Sequence, residues 1–438
     1  MKKLSFISLS FLLFVLAGCS KDWLEEYTTD PARPSDVSVQ VLLPSAQISF
    51  GMAQGDAVAR LTSIFMQQMT GTDRQSLAHN RYAQIGEADF DQVWSDNGYA
   101  GGLYDLKIII DKTEATSPNY AGVAKVMTAM YLGHFTDIWG KIPYSDAMKG
   151  ADGLNPTYDS QEQIYAQIMT LLDEAIVNMA ATTSAIKPGT EDLVYAGSLS
   201  KWTKLAHSLK ARYMNHLSKK PEYNPAGILA EVAAGLSSNA DDAQITFKVS
   251  PNANPWYQFN TQRAGYISQF GTMYSMMEGK NDPRISLYRS ADSSEMPAYG
   301  SETSPLNLMT YAELKFIEAE VRQRQSSGAG AALRDAVDAN MTSLGVSAGA
   351  ATTYLNALSA NPTLEQVMNE KYVAMFSHVE AWTDWRRTNF PALTVYPGAQ
   401  FTEIPRRLPY PQNERLYNKN FIDLQGADGF LQRLWWDQ

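Results

Sequence analysis

The 438-residue chain has a single cysteine, Cys19, which excludes an intrachain disulfide, a zinc site built on thiolates and a dithiol redox pair. It is also short of charge: Asp, Glu, Lys and Arg make up 19%, against roughly 25% in an average soluble protein. Positive charge is scarcest, with 36 Lys and Arg against 46 Asp and Glu and a formal net of −10. A nucleic-acid partner would need a basic footprint to neutralise phosphates, so that class is excluded. The five histidines, at 79, 134, 207, 216 and 378, include no pair at the i, i+4 spacing of a helical zinc site. A nucleophile elbow, a phosphate-binding loop, a complete Gly-x-Gly-x-x-Gly and a calcium loop are all missing. Nothing singles out an acid, base or nucleophile, and neither a metal nor a cofactor is expected. Beyond the N-terminus, no run is long and apolar enough to span a bilayer. What the chain does have is 45% hydrophobic residues, ample for a buried core, and 11% aromatics. Tyrosines outnumber phenylalanines, 23 to 16, which suggests rings with one wet edge.

Lys2 and Lys3 precede an apolar stretch over residues 4–18 that ends Leu16-Ala17-Gly18-Cys19. The stretch is shorter than the ~18 to 20 residues a membrane span needs, and the pattern is an export signal with a lipobox. Small residues admit a signal peptidase, and the Cys19 thiol accepts diacylglycerol before cleavage. Residues 1–18 are therefore expected to be a lipoprotein signal peptide, with Cys19 the first residue of the mature chain. An acidic body does not adsorb to anionic lipid unaided, so the acyl chains must supply the attachment to the membrane. Residues 19–36 carry charges, Pro31 and Pro34 and no helical period, which reads as an extended lipidated tether. Within it Asp22, Glu25 and Glu26 resemble the acidic surface-export signal of Bacteroidota lipoproteins, and Ser20 after the cysteine is compatible with onward transport to the outer membrane.

From about residue 37 the pattern is helical. Val123, Val126, Met127, Met130, Tyr131, Phe135 and Ile138 recur at steps of three and four, which predicts a helix over 121–139. Ile164, Ile168, Leu171, Leu172, Ala175, Ile176 and Met179 predict another over 161–180, with Ser160 as its N-cap. Further helices are predicted over 199–217, 309–325, 329–344 and 364–386, and 244–249 could form a short strand. Helices of this length in succession suggest an all-α fold of tetratricopeptide-type pairs. Residues 71–100, 140–159 and 249–305 read as long irregular stretches, which in a compact protein are usually functional or covering loops. No linker divides 37–438, so one large domain is expected after the tether.

Several segments carry a family resemblance. His134-Phe135-Thr136-Asp137-Ile138-Trp139-Gly140-Lys141-Ile142-Pro143-Tyr144-Ser145-Asp146-Ala147 resembles the D-x-W-G-x-I/V-P-Y-S-x-A signature of the SusD/RagB family of outer-membrane lipoproteins. Asn281-Asp282-Pro283-Arg284 matches its D-P-R turn, and 311–320 resembles its E-x-x-L-I-x-A-E helix. Glu370-Lys371-Tyr372 with 380–387 is similar to its late E-R…D-L-R-R helix, and 404–414 to its closing R-x-P-Y-P-x-x-E segment. The segments occur in order from the lipobox nearly to the C-terminus. Asp137, Trp139, Asp384 and Arg386 read as scaffold, a carboxylate and a guanidinium pairing beneath a loop with tryptophans filling the seam. His134 reads as a packed or capping histidine.

The resemblance implies a SusD-like binding lipoprotein at the cell surface, a lid on a SusC-like TonB-dependent transporter to which it passes glycan or, in some members, peptide. No covalent chemistry is implied. Glycan recognition in such members uses aromatic rings against sugar faces and polar side chains on the hydroxyls. The best local concentrations here are Arg81 and Tyr82 with Trp94, Asn97 and Tyr99, and the 254–260 stretch with Trp256 and Tyr257. Trp94, Tyr99 and Tyr104 could equally form the apolar side of one early helix. Two other classes of function stay open on sequence: a surface glycoside hydrolase with unmarked carboxylates, and a helical-repeat adaptor that binds neither glycan nor peptide.

Overall fold

A computed structural model describes residues 37–249, 253–293, 295–422 and 426–438. The expected signal peptide, the tether and Cys19 lie outside the described residues.

Helices begin where the sequence supplies caps. Ser160 Oγ accepts from Gln163 N–H at 3.2 Å while Gln163 Oε1 accepts from Ser160 N–H at 2.8 Å, a reciprocal box that starts the Gln161–Met179 helix. Pro118 opens the Pro118–Trp139 helix, and Gly140, at φ +83°, turns the chain out of it. Two expectations change at helix ends. The helix expected over 309–325 starts at Tyr311 with Thr310 as N-cap, because Met309 belongs to a strand, Leu306–Met309, antiparallel to Ala243–Ile245. The helix expected over 364–386 is two, Leu364–Ala374 and Glu380–Thr388. Between them Ser377 adopts φ +61°; its N–H donates to Gln68 at 3.0 Å and its hydroxyl accepts from Trp256 Nε1 at 2.6 Å.

The architecture is all-α, with only two-stranded sheets among the described residues. Sequence neighbours pack as tetratricopeptide-type pairs: Pro118–Trp139 against Gln161–Met179, Leu199–His216 against Pro225–Ala234, and Tyr311–Arg324 against Ala329–Leu344. The Pro118–Trp139 helix is buried on nearly every side, the mark of a helix at the centre of a core rather than on its surface. Core residues run from Val39 to Trp436.

The segments that carry the family resemblance form the polar part of that core. Asp137 accepts from Tyr165 Oη at 2.6 Å and from Trp436 Nε1 at 2.8 Å. Trp139 Nε1 donates to the carbonyl of Pro409 at 2.9 Å, which ties the first signature to the closing segment. Arg386 differs from the expected ion pair: its guanidinium donates to the backbone carbonyls of Asp137 at 2.6 Å and Arg406 at 2.9 Å and lies 3.8 Å from the Trp382 ring centroid. Asp384 pairs instead with Arg387 and Lys371. The D-P-R turn buries Arg284 against Asp282, Glu370 and Asn340. His134 is packed as expected; burial holds its imidazole down to about 4.

Two of the stretches read as irregular contain helices. Residues 71–100 hold the Arg74–His79 helix, a 3-10 turn at Glu87–Phe90 and most of a π-helix, Gln92–Leu103. At Gly98 in the π-helix a Cβ would lie 2.3 Å from the Phe135 ring, so the close approach requires glycine. Residues 249–305 hold helices Pro255–Gln262, Thr272–Gly279 and Ile285–Tyr288. These elements are short, so their periodicity spans too few turns to register. Residues 140–159 stay largely irregular, pinned by an Ile142 to Asp159 bridge and a 3-10 turn at Gly150–Gly153.

Candidate ligand-binding site

Two of these loop-rich stretches, distant in sequence, meet across a cleft of about 420 Å³. Its floor comes from the first helices. Val39–Gly55 ends at Asp56, whose backbone leaves the helical region at φ −99° and ψ −118°, and Ala57–Phe65 restarts the chain. One turn on, Arg60 forms an i, i+4 ion pair with Asp56, and its guanidinium lies 4.4 Å from the ring centroid of Phe259. Phe259 belongs to the opposite wall, the Pro255–Gln262 helix, which Asn254 caps by accepting from Trp256 N–H at 2.8 Å and Tyr257 N–H at 3.3 Å.

The second wall is the segment after Thr70–Gly71. That strand pairs antiparallel with Ile267–Ser268, Thr70 opposite Ser268 and Gly71 opposite Ile267. Thr72 adds two bonds, N–H to the Tyr266 carbonyl and Oγ1 to the Gly265 carbonyl, both 2.7 Å. The pairing fixes the turn carrying Arg263 against the Arg74–His79 helix. A Cβ on Gly71 would meet the Ser76 carbonyl oxygen at 1.6 Å, so no other residue fits there. His79 faces the cleft. Burial lowers the affinity of its imidazole for a proton, with Asp89 opposing, and the ring is held below its usual range. Asp89 accepts from Gly86 N–H at 2.7 Å.

The cleft is thus a polar recess with guanidinium, amide and carboxylate groups over an apolar floor of Leu61, Ile64 and Phe90. Such a mixture suits a hydroxyl-rich ligand, which offers donors and acceptors together with weakly apolar faces. Among the described residues, no group of three or more His, Cys, Asp or Glu is placed to hold a metal ion, and no helix is long and apolar enough to cross a membrane.

None of the seven residues expected from sequence lines the cleft. Trp94 is 2% exposed: its ring stacks on Phe135 with centroids 5.8 Å apart, and its Nε1 donates to Glu414 at 3.1 Å. Tyr82, also 2% exposed, packs edge-on against Phe65. Trp256, 4% exposed, is held by Ser377. None of the three presents a ring face to a ligand, and their role is corrected to core packing. Tyr99 is half-buried, with its hydroxyl on the Pro143 carbonyl at 2.6 Å. Asn97 is half-buried and receives the Tyr131 hydroxyl on its backbone carbonyl at 3.0 Å. Arg81 is exposed and Tyr257 half-buried on the same helix as Phe259. The reading of Trp94 and Tyr99 as the apolar side of an early helix fits their burial, but Tyr104 is 41% exposed.

Sequence reasoning located the two stretches but passed over Asp56, Arg60, His79, Asp89, Gln258, Phe259 and Arg263. Asp56 and Arg60 at i, i+4 were the available local signal. The approach of Arg60 to Phe259 is tertiary and has no signature along the chain.

A family model described as "Starch-binding associating with outer membrane", SusD-like, matches residues 31–301 and 290–411. Curated proteins return no match. Among solved structures, a SusD/RagB family protein from Bacteroides thetaiotaomicron shares 24% identity at a TM-score of 0.78, covering 92% of this chain and 99% of that one. A SusD homolog from Bacteroides fragilis gives 21% and 0.75, covering 92% and 100%. A chitin-binding SusD homolog from Flavobacterium johnsoniae gives 23% and 0.73, covering 91% and 96%. At these identities the structural likeness establishes the fold.

Proposed function

The chain belongs to the SusD-like family of starch-binding proteins that associate with the outer membrane, and from that premise we propose that it is a glycan-binding lipoprotein of the cell surface. In this reading Cys19 carries the acyl chains, residues 19–36 tether the domain formed by 37–438, and the domain works as the lid of a SusC-like TonB-dependent transporter. It captures and hands on its ligand without covalent chemistry.

The observation that carries the proposal is the cleft floored by the helices that carry Arg60 and walled by the Phe259 helix and the 74–90 segment. Its volume of about 420 Å³ lies within the usual ~300 to 1,000 Å³ of ligand pockets. Its polar groups are held by pinned backbone, so little ordering cost falls on binding. One solved relative is described as chitin-binding, which supports a saccharide as the ligand class. Arg81 and Tyr257, which leave side-chain surface open, are proposed as contacts flanking the cleft.

Calorimetry of the purified chain against a panel of oligosaccharides tests the binding claim. Saturable binding that Arg60→Ala weakens supports it, and no binding to any glycan contradicts it. Product analysis of the same mixtures tests the absence of turnover: reducing ends released by the pure protein would favour a hydrolase. Affinity capture from outer membranes tests the partnership, and failure to recover a TonB-dependent barrel would remove the transporter from the account.

A further inference from the structure

The hydrogen-bonding groups of the cleft are not equally available. Asp56 is engaged by the guanidinium of Arg60, and Asp89 by the amide of Gly86. Arg60 in turn is divided between Asp56 and the Phe259 ring. Arg263 differs. Its side chain is exposed, it has no carboxylate partner among the described residues, and its guanidinium makes only a 3.4 Å contact with Gln262 Oε1 beside it and lies 5.8 Å from the Phe259 centroid. Its backbone is fixed, with N–H on the Phe259 carbonyl at 2.8 Å and its carbonyl accepting from Tyr266 N–H at 3.2 Å. The cleft therefore holds two guanidinium groups and two carboxylates: Arg60 is paired with Asp56, Asp89 accepts from a backbone amide, and Arg263 stands at the edge as the guanidinium without a carboxylate partner among the described residues.

The ring inventory points the same way. Phe259 is 8% exposed and Phe90 1% exposed, and Phe259 has a guanidinium over it. A neutral glycan recognised by stacking would need an open aromatic face, and the cleft offers none. An anionic saccharide needs a positioned guanidinium, which forms charge-assisted and often bidentate bonds with a carboxylate.

We infer that the cleft takes a saccharide bearing carboxylates, an oligosaccharide of uronic acids, with Arg263 as the group that meets the carboxylate. Gln75 and Gln84, exposed amides with no side-chain partner among the described residues, supply donors and acceptors for the hydroxyls. The inference rests on the cleft being the saccharide site and adds the chemistry that selects among saccharides.

The test is calorimetry on the full chain in detergent with galacturonate, glucuronate and mannuronate oligomers, each beside its carboxyl-reduced counterpart, and with neutral malto- and chito-oligosaccharides. At least one uronate oligomer is expected to bind about ten- to a hundredfold more tightly than its reduced form, the range for one to two charge-assisted bonds. R263A is expected to abolish that preference, R263K to keep part of it, and rising salt to erode it. Because Arg263 is exposed, an unchanged melting curve separates lost recognition from lost folding. Neutral oligomers binding as tightly as uronates, or a preference indifferent to R263A, would overturn the inference while leaving the saccharide reading intact. No binding by any oligomer, acidic or neutral, would overturn both.

Discussion

The guanidinium of Arg60 stands 4.4 Å from the ring centroid of Phe259, and this contact joins the second helix of the described chain to the loop-rich middle. Around it the cleft takes shape, because Arg60 also holds Asp56 at the break between two helices. Replacing Arg60 by Ala removes the ion pair and the cation–ring contact together. Both are partly solvated, so the cost to folding is expected to be only about 1 kcal/mol. The cost to ligand affinity is expected to be larger, about tenfold or more, since the wall carrying Phe259 loses its anchor. Denaturant titration and calorimetry on the same preparation separate the two.

Trp94 makes the opposite prediction. Its ring is enclosed by Phe135, Trp139, Tyr99 and Tyr410, so Trp94→Ala is expected to cost about 3 to 5 kcal/mol of stability. Trp94→Phe keeps most of the packing and gives up the bond to Glu414. It is expected to bind glycan as the parent does, and a selective loss of affinity in that variant would restore Trp94 as a ligand residue.

Much of the scaffold was legible along the chain because long helices repeat their apolar pattern over several turns and begin at local caps such as Ser160. The Ser377 break was not, because its reason is the distant pair Gln68 and Trp256. The expected carboxylate–guanidinium pair beneath the loop forms, but through Arg387 on Asp384, while Arg386 meets the backbone carbonyls of Asp137 and Arg406. Asp384 and Arg386 are two residues apart and do not share a helix face, whereas Arg387, three apart, does. The site was legible only as two stretches rich in aromatics. Its chemistry depends on which rings turn inward, and burial took Tyr82, Trp94 and Trp256 into the core.

A buried charge cluster sets a pH dependence. His216 Nε2 lies 2.6 Å from Glu380 Oε1 and its Nδ1 lies 3.3 Å from Asp137 Oδ2. Burial opposes the charged imidazole, but Glu380 and Asp137 outweigh it and raise its pKa to about 9 from 6.5. A folded-state value above the unfolded one means that the stabilisation is full below about pH 6.5 and is lost as pH rises from there through about 9. His134 and His378, held by burial down to about 4, act with the other sign and withdraw stability as pH falls from 6.5 through about 4. Denaturation midpoints between pH 5 and 9.5 are expected to fall on the alkaline side, and His216→Gln is expected to flatten that limb while lowering stability near neutrality.

Arg284 is fully buried, with bonds to Asp282, Glu370 and Asn340. Arg284→Ala would leave buried Asp282 without its cation and Glu370 with Lys280 alone, at a cost of about 3 to 5 kcal/mol. The expected result is a marked loss of soluble, folded protein that Asp282→Asn partly relieves, read from denaturant midpoints of the single and double variants.

The central claim is that the cleft lined by Arg60 and Phe259 is where a saccharide binds, and backbone hydrogen exchange with and without the tightest-binding oligosaccharide tests it most directly. The account predicts slowed exchange in residues 56–60, 84–90 and 258–263, with the rest of the chain little changed. Protection confined to another surface, or no protection with any saccharide, would contradict it.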